Sequence, residues 1–503
     1  MSNAKRDAAV QRLLTLVTQS GVRQVRLAWC DLHGLMRGKT VLPAALPAAL
    51  RQGVGMVGTI VLKDTSDRTA WKVFDEGGVA DLPGFEAAAN LLLLPDPDSF
   101  RMLPWAEGTG WLRCDLLYPD GRPVPLDPRH QLQRALQSLA QHPSGPGGGL
   151  KLVCGLEVEF HIYRIRGDVK QPDADPVQAA WPGPAPMVEL LHPGYQLLGE
   201  AATDRCDEAL SIVRDTALGL GMPLTSLEVE LGPSQVEAVF GPTDALVAAD
   251  HMALFRSGVK QALARAGYHA TFMCRPPFAQ IMSSGWHLHQ SVTDGTGRNL
   301  MARDALPVPP PGRSSAATDH LSALGVHWLA GLLTHAPAMA ALAVPTLNGF
   351  ERFRPNALAP QSIVWGQDNR GAMLRVVGTA GDATAHIENR LGEPLANPYL
   401  YLAAQVHAGL DGLRRALPAP AATRSPYAAT HDGTQSLPTS LAAALEHLQA
   451  DASYGLGFGD DFIRYYGQIK RQEIQRHSAA CAGGAGDEEA SQEWQRREYF
   501  GRY

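Results

Sequence analysis

The stretch Gly-Leu-Glu-Val-Glu-Phe at 155–160, inside the longer LKLVCGLEVEFHIYR, constrains this chain more than any other. Alternate side chains of a β-strand share a face. Leu156, Val158, Phe160 and Ile162 therefore point one way, and Glu157, Glu159 and His161 the other. The two carboxylates stand about 6–7 Å apart. At an effective dielectric of about 20 their repulsion is roughly 2–3 kcal/mol. Solvent, a basic partner or a cation has to offset it. A half-exposed strand of an antiparallel sheet alternates in the same way, with water on its polar side.

The pattern recurs, and the recurrence favours a site over a solvated sheet. SLEVELG sets Glu228 and Glu230 against Leu227, Val229 and Leu231. SQVEAVF sets Gln235 and Glu237 against Val236, Ala238 and Phe240. GWHLHQS aligns His287 and His289, and AHIENRLG aligns His386, Glu388 and Arg390. If these strands are neighbours, their polar faces converge. So many carboxylates cannot stay ionised and unpaired on one surface without a large cost. Carboxylates with a little imidazole suit hard divalent cations, Mg²⁺ or Mn²⁺. A pair of such ions suits phosphoryl transfer, where they bridge phosphate oxygens. NGFERFRPNALAPQSIVWGQDNRGAMLRV adds Arg352, Arg354, Arg370 and Arg375, side chains fitted to a bidentate grip on carboxylate or phosphate. There is no P-loop and no GxGxxG.

The 503 residues are enough for more than one domain, and the class expected is α+β with an antiparallel sheet in the larger part. A net charge of −6 without a long basic run argues against nucleic acid as a partner. No apolar stretch is long enough to span a membrane, and the charged N-terminal segment lacks a signal-peptide core. The six cysteines are scattered, with no CxxC pair, as in a reduced cytoplasmic protein. Helices are expected over about 1–20, 243–266 and 317–341, after Asp127-Pro128 and after Asn397-Pro398. A hairpin is expected over 22–41, turning at His33-Gly34, and a turn at Pro119-Asp120-Gly121. Loops are expected at 143–149, 306–315, 417–426 and 479–490.

Together, in this order, GLEVEF, SQVEAVF, SSGWHLHQS, NGFERF…AP, DNRGAMLRV, HIENR and ANPYL resemble the motif blocks of the glutamine synthetase family along nearly the whole chain. The resemblance implies an N-terminal β-grasp domain over 1–125. It implies a catalytic domain over 126–503, with a funnel-shaped active site flanked by helices. It implies hexameric rings or dodecamers with active sites between subunits. The chemistry implied uses ATP to phosphorylate the γ-carboxylate of glutamate, after which an amine displaces phosphate. By position, Glu159, Glu230 and Glu237 match the ligands of one metal, with Glu228 a rival for Glu230. Glu157, His287 and Glu388 match those of a second. Arg352 and Arg390 match the residues that hold glutamate. His289 and Ser291 match the ATP and phosphate side, and Arg370 and Arg375 the groups that stabilise the transferring phosphoryl.

Departures from the family pattern bear on the acceptor. Ammonia-using members carry a flap Glu where this chain has Leu358, and an Asp where it has Val57. A site for ammonium needs negative charge and a base. Leu and Val suit an amine with an apolar body instead. Met282-Ser283 replace an Asn-Gly, His386 replaces a phosphate-side Arg, and Tyr427 is a poor match for the tyrosine of adenylylated synthetases. The leading expectation is a γ-glutamylamide synthetase for an aniline-like or short alkyl amine. The alternatives are glutamine synthetase using ammonia, a γ-glutamylpolyamine synthetase, which would want acids at 57 and 358, and a non-catalytic ring-forming homologue, which would need none of the ligands.

Overall fold

The computed structural model describes residues 3–143, 149–167, 181–304, 316–354, 358–428, 435–482 and 487–503. The expected loop at 306–315, and most of that at 143–149, lie outside the described residues.

A first sheet is built from residues before 118. After α1 (Asn3–Gln19) come β1 (Gln24–Cys30), β2 (Met36–Val41), α2 (Leu46–Gln52), β3 (Val54–Val57), β4 (Asn90–Pro95), β5 (Arg101–Met102) and β6 (Thr109–Leu117). The strand order is β2-β1-β6-β4-β3, with β5 on β6. The expected hairpin is β1–β2, and β1 runs parallel to β6 at the centre, as in a β-grasp sheet. Asp127 then caps α3 (Pro128–Ala140), its carboxylate accepting from the amides of Arg129 and His130.

The second sheet holds the repeated alternating strands. Its members are β7 (Lys151–Ile165), β8 (Val188–Leu190), β9 (Leu224–Val229), β10 (Gln235–Asp244), β11 (Tyr268–Thr271), β12 (Trp286–Thr293), β13 (Trp365–Gln367), β14 (Leu374–Val377) and β15 (His386–Gly392). The order is β13-β14-β15-β12-β7-β10-β9, with β8 and β11 also on β7. All pairings except β13–β14 are antiparallel. Helices α4 (Glu200–Gly219) and α5 (Ala245–Arg265) follow β8 and β10. The apolar face of β7 is sealed: the Phe160 ring lies 4.9 Å from that of Phe272 and 5.9 Å from Phe255 of α5. With that face closed among the described residues, the opposite face is left for a ligand.

The single helix expected over 317–341 is two, α6 (Ala323–Thr334) and α7 (Ala336–Ala343), bent by 73°. Pro337 has no amide hydrogen and its ring clashes with the preceding turn, so the helix restarts there. His335 at the bend is held between Asp451 (2.6 Å) and Asp411 (2.8 Å). Burial works to lower this imidazole's pKa, but hydrogen bonds to the two carboxylates outweigh it and hold it above its ordinary value. A raised imidazole stabilises fully below the ordinary pKa and loses that contribution as pH rises through the raised one. Thermal stability is therefore expected to fall with pH in that window. His335→Gln should flatten the fall and cost about 2–3 kcal/mol at pH 6, measured by calorimetry over a pH series.

The remaining helices are α8 (Pro398–Arg415), α9 (Leu441–Ala450), α10 (Ala452–Phe458), α11 (Asp460–Cys481) and α12 (Asp487–Gln495). Of the expected loop at 479–490, residues 479–481 end α11 and 487–490 begin α12, while 483–486 lie outside the described residues. Among the described residues no single helix is long and apolar enough to cross a membrane.

Candidate active site

The site grows from strand register. β7 lies between β12 and β10, with His287 opposite Glu157, Glu237 opposite Glu159, and Glu228 opposite Glu237. Across β12, His289 faces Glu388, which faces Arg375 on β14. Directly opposed residues share a face, so all these side chains converge on one surface. Glu157, Glu159, Glu228, Glu237 and His287, joined by Glu230, line a cavity of ≈ 540 Å³, while His289, Glu388 and Arg375 do not line it.

Three sets of donor atoms lie within 4.8 Å of one another: Glu159–Glu230–Glu237, Glu157–Glu237–His287 and Glu157–His289–Glu388. The first is the first ligand set expected from sequence. The second expected set is spread over the other two groups, with His287 Nδ1 3.3 Å from Glu157 and 3.8 Å from Glu388. Glu230 lies just past the end of β9, tied by its amide to the carbonyl of Gln235 (3.0 Å), and brings its carboxylate into the cluster. Its rival Glu228 accepts instead from Ser226 Oγ (2.9 Å).

Burial, reinforced by the charge of Glu159, pushes the Glu237 carboxyl up to about 9. Glu159 is raised by burial and by Glu230, and Glu230 by burial and by Glu228. Burial also works to raise Glu157, but hydrogen bonds from His287 and His289 outweigh it and hold that carboxyl well below the usual range. A cluster that must retain protons to stay neutral is a donor set fitted to divalent cations, which replace those protons. Gln235, opposite His161, orients Glu159. Its amide nitrogen donates to Glu159 Oε2 (3.1 Å), which also accepts from the Gly285 amide (2.8 Å). That leaves the other oxygen of Glu159 turned towards His287.

The arginines differ in how far they are committed. Arg352 is buried, and its Nη1 donates to the carbonyls of Arg390, Leu391 and Gly392 at 3.0, 3.2 and 3.2 Å. A Cβ on Gly285 would sit 2.5 Å from Arg352 Nη2, so only glycine lets the guanidinium reach this position. Arg375 and Arg390 both donate to Glu388, at 3.0 and 2.5 Å, and Arg375 also to Asp368. Arg370 is exposed and lines the cavity. His289 Nδ1 lies 2.8 Å from His386 Nε2, so the residue replacing a phosphate-side Arg forms a histidine pair. Ser291, opposite Val153, does not line the cavity.

The two positions expected at the acceptor part company. Leu358 lines the cavity, 59% exposed, at φ +55°. Val57 ends β3, 47% exposed, and does not line this chain's cavity. Sequence reasoning missed Leu197 and Leu198, which do line it. The only signal was an apolar pair inside the polar, Gly-bounded GYQLLG. Met282 and Ser283, where the family carries Asn-Gly, line it as well.

A family model for the glutamine synthetase catalytic domain matches residues 125–483. The chain is 36% identical to γ-glutamylanilide synthase of Acinetobacter sp., covering 99% of this chain and 97% of that one. It is 27% identical to glutamate–isopropylamine ligase of Pseudomonas sp., covering 93% and 95%. Among solved structures, GmaS in complex with ADP matches with a TM-score of 0.73 at 27% identity, covering 96% of this chain and 98% of that one. The chain belongs to the glutamine synthetase family. It is thereby an ATP-dependent carbon–nitrogen ligase, in a family that works with divalent metal ions.

Proposed function

We propose that this enzyme joins L-glutamate, through its γ-carboxylate, to a hydrophobic amine, giving a γ-glutamylamide, ADP and phosphate. The amine class favoured is aromatic, aniline-like, or short alkyl. The observation that carries the reading is Leu358 on the cavity wall, where ammonia-using members carry a carboxylate. The relatives named for anilide and isopropylamine products support it.

Glu159, Glu230 and Glu237 would hold one Mg²⁺ or Mn²⁺, and Glu157, His287 and Glu388 a second. Bound there, such ions neutralise the charge of the phosphate oxygens. Arg352 and Arg390 grip the carboxylates of glutamate. Arg370 and Arg375 stabilise the transferring phosphoryl and His289 stands on the ATP side, while Ser291, which does not line the cavity, is left out of this set. An aromatic amine is neutral at pH 7 and needs no carboxylate to shed a proton before attack.

The division of the chain at about residue 126 into a β-grasp and a catalytic domain belongs to this reading. So do ring-shaped oligomers, hexameric or dodecameric, in which the exposed Val57 of one subunit closes the amine pocket of its neighbour. A cytoplasmic setting fits the six unpaired cysteines.

Phosphate release against a panel of ammonia, methylamine, isopropylamine, putrescine and aniline tests the reading. The kcat/KM for aniline is expected to exceed that for ammonia about a hundredfold. Ammonia outperforming every organic amine would overturn it, and putrescine leading would favour a polyamine ligase.

A further inference from the structure

The cavity wall next to the carboxylates is aliphatic, and it is built from a segment that carries no ligand. Residues 191–199 are laced to the chain on either side of Glu230. The Leu198 amide donates to the carbonyl of Val229 (3.1 Å) and the Tyr195 amide to that of Leu231 (2.7 Å). The Leu191 amide donates to Ser234 Oγ (2.7 Å), and the Tyr195 hydroxyl to the carbonyl of Gln280 (3.2 Å). These bonds fix Leu197 and Leu198 beside a donor cluster, yet leave them 52% and 63% exposed.

Large aliphatic side chains left open beside charged groups are unfavourable unless something apolar covers them. Backbone conformation adds a second observation. Leu198 sits at φ +55°, in the left-handed region where a γ-branched residue is strained and Asn or Gly is at ease. Leu358, from a different segment, has the same φ and lines the same cavity. Two leucines in this conformation line one cavity, a clustering of backbone strain that marks ligand sites.

We propose that Leu197 and Leu198 are specificity-determining residues that pack against the apolar body of the acceptor amine, forming with Leu358 an aliphatic cuff around an aromatic ring. The inference rests on the amine-ligase reading above and narrows it. A ring can cover all three side chains, whereas methylamine reaches few of their carbons. The cuff therefore favours aryl amines over the smallest alkyl amines.

The test uses the full chain with Mg²⁺, ATP and saturating L-glutamate, and measures kcat/KM for aniline and for methylamine. In Leu198→Ala the aniline-to-methylamine ratio is expected to fall about tenfold, with the Leu197→Ala, Leu198→Ala double variant lower still. Leu198→Asn suits the left-handed backbone, so its Tm should hold or rise while the ratio falls. A ratio that stays put, with both acceptors losing in parallel, would overturn the proposal. So would a lowered Tm in Leu198→Asn with an unmoved ratio, the mark of a merely structural leucine. A wild type that prefers ammonia would overturn the amine-ligase reading itself. A wild type that prefers aniline, with variants that keep its ratio, overturns the leucine assignment alone.

Discussion

Glu237→Gln is expected to lower kcat about 10²–10³-fold and to abolish the thermal stabilisation that Mn²⁺ or Mg²⁺ confers. Glu237 belongs to two of the three donor groups, so no rearrangement of one set restores the other. Its carboxyl, pushed up to about 9 by burial and by Glu159, is neutral at pH 7 in the metal-free protein. Gln then replaces a neutral group of the same shape, and the metal-free Tm at pH 7 should not fall. Unfolding releases that proton between the ordinary carboxyl pKa and 9, so metal-free wild type loses stability as pH rises through this window. The variant lacks that contribution to the slope. Calorimetry with and without metal, beside phosphate release, checks both halves. A variant still stabilised by Mn²⁺ to the same extent would remove Glu237 from the ligand set.

Leu358→Glu should turn the acceptor preference around. A carboxylate on this wall supplies what ammonium needs, an attracting charge and a proton acceptor. The same carboxylate would be desolvated against the apolar body of an arylamine, without a partner. Both effects act in one direction, and the ammonia-to-aniline ratio of kcat/KM is expected to rise about a hundredfold. Leu358→Gln separates them: it should lose aniline turnover without gaining ammonia. If the Glu variant leaves the ratio where it was, Leu358 does not contact the acceptor.

Much of the site was legible because a strand repeats every two residues. The alternation in GLEVEF, SQVEAVF and GWHLHQS placed the candidate ligands on one face, and the sheet order then brought those faces side by side. Periodicity stops where the strand stops. Glu230 lies beyond β9, which is why spacing left it level with Glu228. The bend at His335 was marked in the sequence by Thr334-His335 and Pro337, a signal that the single helix expected over 317–341 passed over. Leu197 and Leu198 carry no motif, because their place at the cavity depends on backbone bonds to residues more than thirty positions away. Val57 matched a family position by alignment, but a single chain does not bring it to the cavity.

The groups that would handle phosphate and the groups that would choose the amine have different mechanical standing. Glu157, Glu159, Glu237 and Glu388 ride on paired strands, where a slip of one residue in β7 would bury Glu157 and Glu159 and expose Phe160. The leucines ride on connecting segments outside the strands, where residues 191–199 meet the end of β9 through backbone amides that a graft can keep. Such a molecule can change its diet while keeping its engine. New acceptors should be reachable by grafting residues 191–199 and the segment around 358, with the sheet left alone.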